Sequence, residues 1–170
     1  KSRQKSSAVS RVLRVSRAAI VSNDFLGEYA RRFCGDVTNI PGPADTDGVP
    51  PKSIYRDGPP VIGWIGSPST SAYLPLVEDA LLEVSRIHPG TRVRLIGAGP
   101  FSFRRLKAES VPWRLETETS ELHGFDIGIM PMPSNDWTKA KQGGKLLLYM
   151  AAGVPVVASY TRTTAATLSD

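Results

Sequence analysis

Residues 143–159, Gly-Gly-Lys-Leu-Leu-Leu-Tyr-Met-Ala-Ala-Gly-Val-Pro-Val-Val-Ala-Ser, leave the chain little freedom in how it folds. Two glycines open a helix over 143–152, Gly153 stops it, and the apolar run over 154–159 suits a short buried strand. Without side chains at Gly143 and Gly144, the first helical amides stay uncovered, and an anion can approach the positive end of the helix dipole. Lys145 adds a charge within the same turn. At the carboxyl edge of an open α/β sheet, a helix start of this kind holds phosphates. The same residues also suit an ordinary amphipathic core helix whose glycines only shape the loop.

The alternation continues upstream. Residues 61–65 carry no charge, as expected of a strand covered on both faces. A loop over 66–71 follows, then a helix over 72–87 closed by His88-Pro89-Gly90. Further strands are expected over 93–96, 111–115 and 126–130, with short helices over 101–107 and 119–123 and a loop over 132–142. This order predicts a parallel, doubly wound sheet with right-handed crossovers. Before it, 10–17 reads as a short helix, 18–22 and 37–40 as strands, and 24–32 as a helix capped by Asn23 or Asp24. Residues 41–60 are too rich in proline and glycine for regular structure, and the domain boundary falls there.

Composition narrows the function. At 170 residues the chain can bury a full core, and its 41% hydrophobic and 22% charged content is that of a globular protein. No apolar run approaches the roughly 20 residues that span a bilayer. The lone Cys34 rules out an internal disulfide framework and fits a reducing cytoplasm. His88 and His123 lack ligand-like spacing, so no metal is expected. The net charge of +5 belongs to residues 1–17, where Lys1, Arg3, Lys5, Arg11, Arg14 and Arg17 meet no acid. Beside Val9, Val12, Leu13 and Val15, that basic face suits either anionic lipid at a membrane surface or, as the commoner outcome, a solvated helix packed on its parent domain. Without interleaved aromatics it does not suit nucleic acid. Gly97-Ala-Gly99 lacks the third glycine and the downstream acid of a dinucleotide site, which excludes a nicotinamide or flavin cofactor.

Ile62-Gly-Trp-Ile-Gly-Ser-Pro-Ser-Thr70, Pro112-Trp113-Arg114, Phe125-Asp-Ile-Gly-Ile-Met-Pro131 and Lys141 to Ser159 occur in an order that resembles group 1 glycosyltransferases. The likeness is to the donor-binding half of these retaining enzymes, whose two facing Rossmann-like domains form the GT-B architecture. It implies an α/β, Rossmann-like parallel sheet with flanking helices over 61–170. Residues 1–40 would be a remnant of the N-terminal, acceptor-binding domain and 41–60 the crossing between the two. It also implies a fragment that holds a nucleoside-diphosphate sugar as substrate, without a separate cofactor. The complete protein would pass a hexose to a glycan or lipid-linked acceptor in the cytoplasm or at the inner membrane surface.

The resemblance places the base near Trp113 and Arg114, and the diphosphate on the amides of Gly144, Lys145 and Leu146, after Gly143. Gly66 and Ser67 would lie close to the phosphates or sugar, and Lys139, Lys141 and above all Lys145 would supply positive charge. Two departures stand out. Family members carry two glutamates around this helix start, where this chain has Ala140 and Leu148, and an arginine and lysine after the first strand, where residues 67–72 have no charge. A degenerate scaffold is therefore the alternative to an enzyme. Trp64 and Tyr73 suit the core better than a stacking role, Glu121 and Asp126 suit ordinary surface positions, and Asp136 suits a helix cap.

Overall fold

A computed structural model describes residues 2–53, 57–161 and 164–165, with side chains from residue 8 onward. The side chains of Lys1, Arg3 and Lys5 lie outside the described residues, as do 54–56 of the 41–60 segment and 162–163 and 166–170 of the 61–170 region.

Two parallel units follow one another. In the first, α1 (Ser2–Val15) leads to β1 (Ala19–Val21), α2 (Asp24–Ala30) and β2 (Val37–Asn39), and the two strands pair in parallel with Ala19 opposite Val37. Asn23 caps α2, its side chain accepting from the Leu26 amide at 2.9 Å. In the second unit, β3 (Val61–Ile65) is followed by α3 (Pro68–Ser71), a 3-10 turn (Leu74–Val77) and α4 (Glu78–Ile87). Then come β4 (Arg92–Ile96), β5 (Glu109–Val111), α5 (Glu118–His123), β6 (Ile127–Met130), α6 (Asp136–Lys139), α7 (Gly144–Ala151) and β7 (Val156–Ala158). The five strands are all parallel in the order β5-β4-β3-β6-β7, which makes this a Rossmann-like sheet flanked by helices. Strand order reverses between β3 and β6.

Alternation along β3 explains its burial. Val61 and Ile65 pack with Phe125, Tyr149 and Ala152 on one face of the sheet, while Ile62 and Trp64 pack with Leu74, Leu81 and Leu95 on the other. Every residue of β3 is buried, as the absence of charge predicts.

Among the described residues, 41–53 and 57–60 contain no helix or strand, yet the segment is strapped to the second unit. Val49 joins the core, and the Lys52 amide donates to the Ala152 carbonyl at 3.0 Å. The Lys52 ammonium donates to the Phe125 carbonyl at 2.6 Å and lies 3.6 Å from Asp126, whose other oxygen accepts from the Val61 amide.

Local expectations fail where proline or a capping pair intervenes. The helix expected over 72–87 is broken at Pro75, which has no N–H to give and sits in the first turn of the 3-10 segment. The loop expected over 66–71 contains α3, with Pro68 in its first turn and a reciprocal Ser67–Thr70 capping box. No helix forms over 101–107, because Phe103 turns into the core and Glu78 captures the amides of Arg105 and Leu106. The third strand ends at Val111 rather than Leu115, since Pro112 cannot continue the ladder. Asn135 rather than Asp136 caps α6, and Asp136 pairs with Lys139 at 3.0 Å.

Candidate functional site

The cleft forms where the sheet must open. Strands β3 and β6 pair only through Ile62 with Ile127 and Gly63 with Gly128. Beyond these pairs the Tyr149 hydroxyl stands between the strands, accepting from the Ile65 amide at 3.0 Å and donating to the Ile129 carbonyl at 3.2 Å. Burial holds the phenol well above its ordinary pKa, so it remains a neutral donor and acceptor. Because Tyr149 belongs to α7, the same two hydrogen bonds fix that helix against the opening.

Around the opening lies a cleft of about 640 Å³, walled by the tips of β3, β4 and β6 and by the first turns of α7. A crevice at the carboxyl ends of the strands, where strand order reverses, is the general ligand site of such sheets. Gly66, Ser67, Trp113, Lys141, Gly144 and Lys145 all line it. Arg114 is exposed and does not, although its neighbour does. Gly143 is buried and caps the helix, while the Leu146 side chain is fully buried against Met130 and Met132.

Lys145 dominates the electrostatics. Its ammonium lies 3.2 Å from the Thr70 hydroxyl and 4.5 Å from the centre of the Trp64 ring. Gly66 makes room for it, since a methyl there would fall within 2.6 Å of Nζ. Among the described residues no carboxylate pairs with Lys145. Burial, reinforced by the nearby Lys141 charge, pushes its pKa down to about 8. The ammonium is thus withdrawn from water without an anion to compensate it. Trp64 is core, as expected, but its face also carries this cation.

The helix start is less open than glycine alone suggests. The Gly144 amide donates to the Gln142 carbonyl at 2.8 Å, and the Leu146 amide to the Gly143 carbonyl at 2.8 Å. Tight turns at the helix entry consume these two donors. The Lys145 amide makes no hydrogen bond with the described residues. Lys141 reaches toward Trp137, its Nζ 5.6 Å from the ring centre, and Lys139 is held by Asp136.

Both positions without a glutamate are accounted for. Leu148 presents an apolar wall to the cleft, and the Ala140 carbonyl accepts from the Asn23 side chain at 3.1 Å, tying the first unit to the loop before α7. Glu121 pairs with Arg94 at 2.8 Å and Asp126 holds the Val61 amide, so neither faces the cleft. Sequence reasoning passed over Glu118, whose carboxylate accepts from the Trp113 indole and lines the cleft. Nothing in the local pattern marked it beyond its place after Trp113.

Among the described residues no helix is long and apolar enough to cross a membrane, and Val9, Val12 and Val15 are exposed. No protein-family model and no curated protein matches the chain.

Proposed function

We propose that this chain is the donor-binding part of a retaining, nucleotide-sugar-dependent glycosyltransferase of the GT-B architecture, acting on a glycan or lipid-linked acceptor. The observation that carries this reading is the Lys145 ammonium, which pairs with no carboxylate among the described residues, in a cleft at the strand-order reversal. A cation that has lost hydration and gained no counter-charge is satisfied by an anionic ligand. Phosphate oxygens suit it, because Lys141 lines the same space and adds a second positive charge. Departure of a nucleoside diphosphate develops negative charge on the leaving group, and a prefixed ammonium stabilises it without reorganisation.

The test is a panel of nucleoside diphosphates and their sugars, measured by calorimetry and thermal shift. One nucleotide should raise the melting temperature, and Lys145→Ala should weaken its binding several-fold. Affinity unchanged in the variant removes Lys145 from the site. One observation favours a second reading, a scaffold that keeps the fold without transferring sugar: Leu148 offers the cleft an apolar wall where the family has a carboxylate. Absence of binding across the whole panel supports that alternative.

A further inference from the structure

Lys141 lines the cleft, but the backbone that carries it runs along the contact with the first unit. Helix α6 ends at Lys139 and Ala140 caps it, so Lys141 is the first residue beyond a helix of only four residues. A helix that short is marginal alone and takes its place from what surrounds it. Its capping hydrogen bonds, between Asn135 and Thr138 and from Thr138 to the Pro133 carbonyl, stay within the turn itself.

Two contacts from outside hold the residues that follow. Asn23 Nδ2 donates to the Ala140 carbonyl at 3.1 Å, while its Oδ1 caps α2 by accepting from the Leu26 amide at 2.9 Å. One buried side chain therefore starts a helix of the first unit and holds the residue before Lys141. From the strap, Gly42 packs against the Gln142 side chain so closely that a methyl there would overlap it. Gln142 lines the cleft, and its carbonyl accepts from the Gly144 amide at 2.8 Å. Residues 140–142 are thus held from one side by Asn23 and Gly42, and Lys141 and Gln142 meet the cleft on the other. Among the described residues Lys141 pairs with no carboxylate, and its Nζ lies 5.6 Å from the Trp137 ring centre. With the side chain held so lightly, the place of its charge depends on the backbone beneath it.

We infer that Asn23 is a positioning residue for anion binding: through the Ala140 carbonyl it sets where Lys141 presents its charge. The first unit thereby tunes the affinity of a cleft that its own residues do not line. The inference rests on the phosphate reading above and extends it to the unit before the strap. Such coupling is reciprocal, so an anion in the cleft strengthens the docking of the first unit by the same factor.

The experiment is calorimetry with inorganic pyrophosphate on the 170-residue chain. Asn23→Ser keeps a capping oxygen for α2, adds no charge and is too short to reach Ala140. It should weaken pyrophosphate binding about fivefold, with circular dichroism unchanged. In a Lys141→Met background the same substitution should cost nothing further, because the charge it positions is gone; a merely structural loss would persist there. Gly42→Ala displaces Gln142 from the strap side and should act in the same Lys141-dependent way, and it stands in should Asn23→Ser fail to fold. Equal affinity in the unaltered chain and the variant, or a loss of the same size with and without Lys141, overturns the positioning role and leaves the phosphate site standing. No binding of pyrophosphate by the unaltered chain overturns both.

Discussion

Replacing Lys145 by methionine should make the ligand-free protein more stable and a poorer binder at once. Methionine keeps the length of the stem against Trp64 but removes the charge. The ammonium's pKa falls from 10.5 to about 8. At about 1.4 kcal/mol per unit, holding the proton there costs roughly 3 kcal/mol at neutral pH. The lost hydrogen bond to Thr70 gives back about 1 kcal/mol. A net gain of about 2 kcal/mol raises the melting temperature of a chain this size by about 4–8 °C. The sign of the pH dependence follows. Between about 8 and 10.5 the unfolded chain holds a proton that the folded chain has released, so the unaltered protein gains stability as pH rises through that window. The advantage of the methionine variant should therefore be largest at pH 6.5 and shrink to about 0.4 kcal/mol, roughly a fifth, by pH 9.5. Diphosphate affinity of the unaltered chain should fall above pH 8, where Lys145 loses its proton. Scanning calorimetry at the two pH values, with and without nucleotide, reads all of these quantities. A variant that melts below the unaltered protein at pH 6.5, or binds diphosphate equally well, would refute the account of Lys145 as an uncompensated cation.

Tyr149→Phe leaves the Ile65 amide and the Ile129 carbonyl without their partner, and denaturant melts should show a loss of about 2–3 kcal/mol with weaker nucleotide binding. Gly66→Ala places a methyl within 2.6 Å of Lys145 Nζ and a similar distance from Trp64; diphosphate affinity should drop several-fold by calorimetry while circular dichroism still reports the α/β fold. Lys52→Met strips the Phe125 carbonyl and Asp126 of a buried cation, and urea unfolding should show a loss of about 3 kcal/mol. A loss below about 0.5 kcal/mol would mean that the strap is held by Val49 and backbone contacts instead.

What was legible in the sequence had a strong local cause. The charge-free run at 61–65, the glycine stop at 153 and the strand–helix alternation each report burial or backbone geometry directly, and the parallel sheet follows from them. Lys145 could be singled out because the glycines and the charge sit together in one turn. What escaped depends on residues far apart in the chain. The capture of the 105–106 amides by Glu78 draws a would-be helix out of shape across 27 residues. The Tyr149 bridge joins α7 to β3 across 84 residues, and no periodicity announces it. At 75 and 112 proline overrides the apolar pattern around it, breaking a helix in one case and ending a strand in the other.

The helix start shows why the lysine matters more than the dipole. Gly143 and Gly144 promise several open amides, but turns at the entry consume those of Gly144 and Leu146. With α7 only eight residues long, the field at its N-terminus is modest. A charged ligand in this cleft would then be met mainly by side chains: Gly66 leaves space for Lys145, which lies over Trp64. A glutamate at position 148 would stand one helical turn from Lys145 and pair with it within α7. Such a pair would quench the uncompensated charge that the proposed function assigns to anion binding. Glu118, on α5 and held by the Trp113 indole, lines the cleft but does not pair with Lys145, which has no carboxylate partner among the described residues. Leu148→Glu should accordingly raise the Lys145 pKa and weaken pyrophosphate binding, read by calorimetry between pH 6.5 and 9.5. Tighter pyrophosphate binding in that variant would show that an uncompensated Lys145 is not what captures the anion.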